Sequence, residues 1–471
     1  MKYNFDFIVL GAGSAGLTVA SSCFGLGASV LLIEKYKMGG DCLNTGCVPS
    51  KAFLRISHAV KNNTDLSEMG INTTTEEIDL KVVMDYVQKS IEKIEPKDSK
   101  ERFESFGIKV LLGDAKLLSN HEVEINGQVY TSKNIVISTG SRPFIPDIKG
   151  LEDIDYLTSE NIFKLTTLPK KLLVIGAGPI ALELGQGFSN LGSNVHIINK
   201  YKRIFTSDDE EVGEYMLERL SKDLTFHMNT EVLSITKVGN EYDVLIRENN
   251  NKETIRVNKI LLSTGRIPNS ENLGLENLGI AMNDKKHINV DLKMKTNIKN
   301  IYACGDVTGK FAFTHMAGYE ASIVTKNAVL KIPIKANYKK VAWTIFTIPS
   351  VTHTGLTEEM AKKEGLFSKK ILVNFDNTDR FMIDNEEGFI KIILDKKERV
   401  IGATIISSAA DELIHSLSIL IEMKLKITKF LSIMTPYPMR GNVLKEIAVM
   451  KYRESFTPFS RGIIKNFLLK I

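Results

Sequence analysis

Two cysteines carry the plainest chemistry in this chain. Cys42 and Cys47 stand in the run Gly39-Gly40-Asp41-Cys42-Leu43-Asn44-Thr45-Gly46-Cys47-Val48-Pro49-Ser50-Lys51. So close a pair can form a reducible disulfide, pack as free core thiols or supply half of a zinc site. Five positions of ideal helix rise about 7.5 Å, beyond the roughly 7 Å limit for a relaxed disulfide. Pairing therefore requires a bend, which Gly46 makes cheap. A strained bond beside a bound nucleotide would be reducible, which suits catalysis better than stapling. Zinc needs further ligands at helpful spacing, and the other two cysteines, Cys23 and Cys304, lie far off in sequence. Both read as small apolar packing residues.

The elements that must hold this pair read as nucleotide-binding units. Phe7 to Leu10 is a short apolar run, followed by Gly11-Ala12-Gly13-Ser14-Ala15-Gly16, a helical pattern from Leu17 to Leu26, and a second strand from Ser29 to Ile33 that ends in Glu34. In this fingerprint the first glycine makes the tight turn and the second lets backbone approach a pyrophosphate. The third lets helix and strand pack closely, and the acid binds a ribose hydroxyl. The unit recurs: Leu172 to Ile175 is a strand, Gly176-Ala177-Gly178-Pro179-Ile180-Ala181 the turn, and Val195 to Ile198 the next strand. The interval from Gly11 to Glu34 equals that from Gly176 to Asn199, so Asn199 sits where the acid would be, with Lys200, Lys202 and Arg203 after it. No carboxylate repels a 2′-phosphate there and three cations attract one, which reads as NADPH over NADH. The plainer reading is solvated loop charge. Two further apolar strands, Ile135 to Ser138 and Ile260 to Ser263, both run into Thr-Gly, at Thr139-Gly140 and Thr264-Gly265.

Length and composition bound the rest. A chain of 471 residues predicts about three domains. Its 61 basic and 56 acidic residues leave +5, too little to argue for nucleic acid or anionic lipid. No apolar stretch reaches the roughly 18 residues of a membrane span, no secretory signal is legible at the start, and four cysteines point to a reducing, cytoplasmic setting. The first unit resumes near Ile301-Tyr302-Ala303-Cys304-Gly305-Asp306. From about Lys340 the pattern turns α+β, with strands expected at Val341 to Val351, Phe389 to Leu394 and Val400 to Ile406, and helices at Glu358 to Gly365 and Ala409 to Met423. The tail carries Pro458 and Ser460, then Ile463, Ile464, Phe467, Leu468 and Leu469 among Arg461, Lys465 and Lys470. That predicts a short, basic, amphipathic helix. Packing on a dimer is its plainer reading; a membrane surface or a partner protein is the sharper one.

With these motifs the chain resembles the class I pyridine nucleotide-disulfide oxidoreductases, the flavoprotein family of lipoamide dehydrogenase, glutathione reductase and mercuric reductase. The resemblance implies an α/β fold with two Rossmann-like domains, for FAD and NAD(P), and a C-terminal α+β dimerisation domain. Its expected bounds are 1–150 (FAD), 151–270 (NAD(P)), 271–339 (remainder of the FAD domain), 340–450 (dimerisation) and 451–471 (tail). It implies a homodimer in which Gly11, Gly13, Gly16, Glu34, Gly40, Thr139, Gly140 and Asp306 hold FAD, with His315 and Ala317 beside the isoalloxazine. Gly176, Gly178, Ile180, Glu183, Gly265 and the Asn199, Lys200, Lys202, Arg203 loop would hold NADPH. Hydride would pass from nicotinamide to flavin and on to a Cys42–Cys47 disulfide. Cys47 would then hold the charge-transfer thiolate, Cys42 would attack the acceptor, and Lys51 with Glu183 would form the ion pair beside flavin N5. No protein-bound metal is expected.

The chain departs from the family near its C-terminus. Disulfide-reducing members donate a His-Glu pair across the dimer. The matching stretch here is Met434-Thr435-Pro436-Tyr437-Pro438-Met439-Arg440-Gly441-Asn442, with Tyr437 at the histidine position, Asn442 at that of the glutamate, and no histidine after His415. A phenol with pKa near 10 is a poor base at neutral pH. Mercuric reductases resemble the chain more at Tyr437, yet carry a C-terminal cysteine pair that this chain lacks. Three readings follow: a reductase of a metal ion, quinone or other acceptor that needs no acid; a dihydrolipoamide dehydrogenase or small-disulfide reductase with a relocated acid; or an electron-delivery or redox-sensing flavoprotein docked through its tail.

Overall fold

The computed structural model describes residues 2–71, 77–249 and 251–468, with the side chains of 64, 65, 67, 68, 467 and 468 left out. Two compact units result, one of residues 1–204 and 217–337, the other of 205–216 and 338–471. In the first, the apolar run at the start becomes the strand Phe5–Leu10, parallel to Val30–Glu34 on one side and Gln128–Ile137 on the other. Val30–Glu34 in turn pairs parallel with Lys109–Leu112, and Ile301–Ala303 returns late in the chain to pair parallel with Gln128–Ile137. Ile8, Leu10, Leu31, Ile33, Ile135 and Ile137 are all buried in one core, as expected of parallel strands covered on both faces. The strand Phe5–Leu10 ends at Gly11, where the chain turns into the helix Ser14–Gly25.

The repeat builds a second parallel sheet in the same unit, in the order Thr225–Met228, Asn194–Asn199, Lys171–Ile175, Lys259–Leu262. The antiparallel strands Thr230–Val238, Glu241–Glu248 and Asn251–Val257 close over it and share a core through Val244, Ile246 and Ile260. Glu248 pairs with Asn251 where the second and third of these strands meet, and Asn250 between them lies outside the described residues.

The second unit is a five-stranded antiparallel sheet in the order Ala342–Ile345, Ser350–Gly355, Val400–Ser407, Phe389–Leu394, Lys369–Asn374. The helices Ala410–Glu422 and Asn442–Glu454 cover it, with Ile414, Leu417, Val443 and Ile447 in the core. The single strand expected over Val341 to Val351 is instead two antiparallel strands joined by residues 346–349. Pro349, which lacks an N–H to donate, closes that turn. The segment Phe205–Met216, which leaves the second nucleotide sheet, belongs to this unit. Lys391, on the strand Phe389–Leu394, is 1% exposed, with Nζ 2.8 Å from Asp209, 2.6 Å from Glu211 and 3.0 Å from Glu358. In the tail, the helix Pro458–Ile463 starts at an N-cap Thr457 and continues as a wider π turn over Ile464–Leu468. Leu469 and Lys470, which the sequence placed in one amphipathic face with them, lie outside the described residues.

Candidate active site

The bend that a Cys42–Cys47 pair requires lies between two helices. Gly40–Asn44 stops at Thr45 and Cys47–Asp65 begins two residues later. Asp41 O accepts both Thr45 N–H (2.9 Å) and Gly46 N–H (2.7 Å), which folds the chain back. A side chain at 46 would press on Asp41 O at 3.0 Å, so glycine suits the turn. The fold-back brings the two thiols into hydrogen-bond contact, and they differ sharply. The Cys42 S–H donates to Cys47, which holds the Cys47 thiol down at about 6 against desolvation; Thr314 and the Lys51 charge add to the effect. Cys47 Sγ lies 3.2 Å from Thr314 Oγ1. The same hydrogen bond, with burial, pushes Cys42 far up. One sulfur is thus poised as thiolate and its neighbour holds the proton. Thr314 lies 267 residues from Cys47, and no sequence spacing pointed to it.

Lys51 follows one turn along the same helix, and its Nζ donates to Glu183 Oε2 at 2.7 Å. The carboxylate is almost fully buried (side chain 7% exposed) while the lysine keeps 38% of its side-chain surface. Two residues 132 positions apart are therefore joined as the resemblance implied.

The first glycine turn fits a dinucleotide on its own geometry. Gly11 has φ +95°, and a Cβ there would lie 2.5 Å from Ser138 O. A Cβ on Gly16 would lie 1.8 Å from Gly11 O. A Cβ on Gly40 would come within 2.6 Å of Gly13 Cα, so these two backbones touch. Gly13 caps the helix with no side-chain acceptor on its first N–H groups, which leaves them for a phosphate. Glu34 is buried, its Oε2 accepting Ala12 N–H (2.7 Å) and Oε1 accepting Tyr36 N–H (2.8 Å). A carboxylate has lone pairs left for a ribose hydroxyl. Asp306 begins a short turn where Ile301–Ala303 ends. Burial raises its pKa, against Ser141, whose hydroxyl donates to it at 2.7 Å, and Arg266, which donates on to Ser141 at 2.8 Å. Arg266 also pairs with Asp41 at 3.1 Å, tying this acid to the cysteine turn. Thr139 Oγ1 donates to Asn269 O, and Gly140 next to it has φ +71° with open space around its Cα. His315 stacks on Phe313 and is exposed, whereas Ala317, two residues further along that helix, is buried. These residues fit FAD: a phosphate-ready helix start, a ribose acid and a second buried acid.

The second turn repeats the first. A Cβ on Gly176 would sit 2.1 Å from Ser263 O, Gly178 caps its helix with open space about it, and Ile180 lies half-buried in the first helical turn. Gly265 has φ +120° and open space as well. Asn199 is buried, its amide donating to Tyr201 O and Arg203 O, both at 3.0 Å. It thus shapes the loop that displays the exposed Lys200 and Lys202 and the half-buried Arg203. That pattern fits a nucleotide whose phosphate the loop meets.

In the second unit Tyr437 is 73% exposed and its hydroxyl donates to Asp379 Oδ2 at 2.7 Å. Asp379 raises the phenol's pKa further. Asn442, which stands at the family's glutamate position, spends its amide within its own loop, donating to Thr435 Oγ1 and accepting Met439 N–H. The sequence pointed to Tyr437 but not to Asp379, 58 residues earlier. Among the described residues no helix is long and apolar enough to cross a membrane, and no cluster of three or more His, Cys, Asp or Glu is arranged to hold a metal ion.

Comparison with known proteins matches residues 5–321 to the family described as pyridine nucleotide-disulphide oxidoreductase, and residues 341–448 to its dimerisation domain. A mercuric reductase of Bacillus cereus is 31% identical over 465 residues, covering 98% of this chain and 73% of that protein. A dihydrolipoyl dehydrogenase of Bacillus subtilis is 31% identical over 452 residues, covering 94% of this chain and 95% of that one. Among solved structures, the Cu(II) complex of the HOCl-induced flavoprotein disulfide reductase RclA from Escherichia coli has the same fold, with a TM-score of 0.84 over 96% of this chain and all of that one, at 24% identity.

Proposed function

The chain belongs to the pyridine nucleotide-disulphide oxidoreductase family, and from that membership we propose that it carries electrons from NADPH through Cys42 and Cys47 to an acceptor that needs no protonated leaving group. The family membership makes it an FAD-dependent NAD(P)H oxidoreductase with a disulfide redox centre, and its dimerisation domain supports a homodimer. The single observation that carries the proposal is the unequal thiol pair, with Cys47 held at about 6 by the Cys42 S–H, close to the Lys51 charge.

FAD, when bound, supplies the two-electron relay between nicotinamide and disulfide. The chain's own residues handle charge and protons. Opening the Cys42–Cys47 bond with one hydride equivalent breaks S–S, leaves a thiolate on Cys47 and puts one proton on Cys42, so atoms and charge balance without further acid. Lys51, fixed by Glu183, favours the anion on Cys47. Cys42 then gives its proton to solvent and attacks the acceptor, and the disulfide re-forms as both electrons pass to the acceptor, which is reduced by two electrons. The first glycine turn, Glu34 and Asp306 orient the FAD dinucleotide. The second turn takes NADPH, with Lys200, Lys202 and Arg203 meeting the 2′-phosphate. We assign 1–150 and 271–339 to FAD binding, 151–270 to NADPH and 340–450 to dimerisation.

Tyr437 supports the acceptor class. Its O–H is committed to Asp379 and its pKa is raised above 10, so at neutral pH it offers an acceptor oxygen rather than a mobile proton. General acid help of the lost kind is worth about 10²- to 10⁴-fold, which weighs against lipoamide or glutathione disulfide. A metal ion, as in the name of the Bacillus cereus relative, or a quinone needs no such acid. The test is NADPH-driven turnover of purified holoenzyme with mercuric ion, cupric ion, a benzoquinone and lipoamide side by side. Turnover of an ion or the quinone at least about a hundredfold above lipoamide is expected. Fast lipoamide turnover that Tyr437→Phe leaves unchanged would instead reveal an acid elsewhere.

A further inference from the structure

We propose that the cavity flanked by Tyr437 in the dimerisation unit binds an organic anion with at least two negative groups on an apolar body. The cavity holds about 780 Å³ and lies between the loop at Tyr437, the helix Asn442–Glu454 and the tail helix Pro458–Ile463. That volume is in the range of small-molecule sites. Its polar wall is not balanced. Lys445 and Arg453 project from one face of the helix, two turns apart, and Arg461 comes from the tail. None of these three cations makes an ion pair among the described residues. The fourth cation, Arg380, is paired with Asp384 at 2.8 Å.

The acids of the wall offset only part of that charge: Asp379 and Glu446 are held by neutral hydroxyls and keep their charge, whereas Glu454 is neutralised by two lysines. Asp379 accepts the Tyr437 hydroxyl, Glu446 accepts the Thr378 hydroxyl, and Glu454 holds Lys369 at 2.7 Å and Lys451 at 3.1 Å. Three unpaired cations against two carboxylates that no cation neutralises leave the cavity net positive, which a ligand of opposite sign relieves. Two of them are guanidinium forks, suited to carboxylate, phosphate or sulfonate oxygens. Val449, Met450, Pro438 and the Tyr437 ring supply apolar surface between them. A lone inorganic ion would leave that surface unused, and a neutral ring would leave the cations unanswered. The proposal stands whether or not Tyr437 meets the electron acceptor.

The probe set is naphthalene-1,5-disulfonate, naphthalene-1-sulfonate and 1-naphthol, titrated calorimetrically into the FAD-loaded dimer. The disulfonate is expected to bind saturably, about tenfold tighter than the monosulfonate, with 1-naphthol weakest. Added salt should weaken the dianion most. Arg453→Ala and Arg461→Ala should each cost about tenfold, with Arg453→Lys intermediate, and none should change NADPH-driven flavin reduction. Binding is also measured in Cys47→Ser. Retained affinity there places the site apart from the redox pair, so failure of the electron-transfer proposal would not carry this one with it. Affinity lost in Cys47→Ser would overturn that separation. Absence of saturable dianion binding would overturn the proposal itself, as expected if the three cations face acidic side chains of a second copy. Equal binding of disulfonate and naphthol, or binding indifferent to the arginine substitutions, would overturn it too.

Discussion

Replacing Cys42 by alanine should move Cys47 part of the way back toward an ordinary thiol, and the size of the change follows from the contacts. In the reduced protein Cys47 titrates at about 6 instead of 9.0, and the largest cause is the Cys42 S–H. A hydrogen bond to a charged acceptor contributes about 1.5–3 kcal/mol, which at 1.36 kcal/mol per pKa unit is roughly one to two units. Cys42→Ala should therefore move the Cys47 midpoint up to between about 7 and 8. Cys42→Ser, which keeps an O–H donor, should recover part of that shift. Thr314→Val should raise the midpoint by less, since its bond is the smaller contributor. The assay is the pH dependence of iodoacetamide alkylation of Cys47 in dithiothreitol-reduced, desalted protein, read by peptide mass spectrometry. At pH 7 the wild-type group should be about nine-tenths thiolate, against about one-hundredth for a thiol at 9. A wild-type midpoint above 8, or equal midpoints in the wild type and Cys42→Ala, would refute the reasoning.

Three further outcomes are expected. Gly16→Ala puts a Cβ 1.8 Å from Gly11 O; overpacking of about 1–3 kcal/mol or more should lower FAD affinity roughly ten- to hundredfold, read as flavin absorbance per mole of purified protein. Lys200→Ala with Lys202→Ala should raise KM for NADPH about tenfold and leave KM for NADH unchanged, since only the 2′-phosphate is lost as a partner. Lys391→Met leaves Asp209, Glu211 and Glu358 without their shared cation and should destabilise the dimerisation unit by about 3–5 kcal/mol in urea unfolding. In the wild type, burial pushes Glu358 up but Lys362, Lys391 and Lys370 outweigh it and hold it at about 2. That depressed pKa contributes stability that is complete above about 4.5 and lost as pH falls toward 2, a loss that Lys391→Met should blunt.

What the sequence shows depends on how local the determinant is. Gly11, Gly13 and Gly16 sit on one turn and answer to one steric demand, and the copy at Gly176 and Gly178 answers to the same demand, so both sheets were legible from spacing alone. The cysteine pair was legible for the same reason, as was the need for a bend beside Gly46. The partners that tune the site are remote. Thr314 and the Arg266–Ser141–Asp306 chain reach the cysteine turn, and Asp379 reaches Tyr437 within the second unit, only through tertiary folding, and no periodicity marks them. Asn199 was legible as a missing acid, but not as the amide that shapes the cationic loop. Val341 to Val351 failed as one strand because an apolar run does not record where the chain reverses. Lys391, in the otherwise apolar strand Phe389–Leu394, gave no sign that the distant segment Phe205–Met216 supplies two of its carboxylates.

The most direct measurement is an anaerobic titration of the holoenzyme with NADPH, and separately NADH, in the wild type and Cys47→Ser, followed by absorbance and by thiol labelling. One equivalent of NADPH should expose two alkylatable thiols, Cys42 and Cys47, and generate a long-wavelength thiolate-to-flavin band that Cys47→Ser lacks. Flavin bleaching with no such band and no new thiols would take Cys42 and Cys47 out of the electron path and contradict the proposed relay.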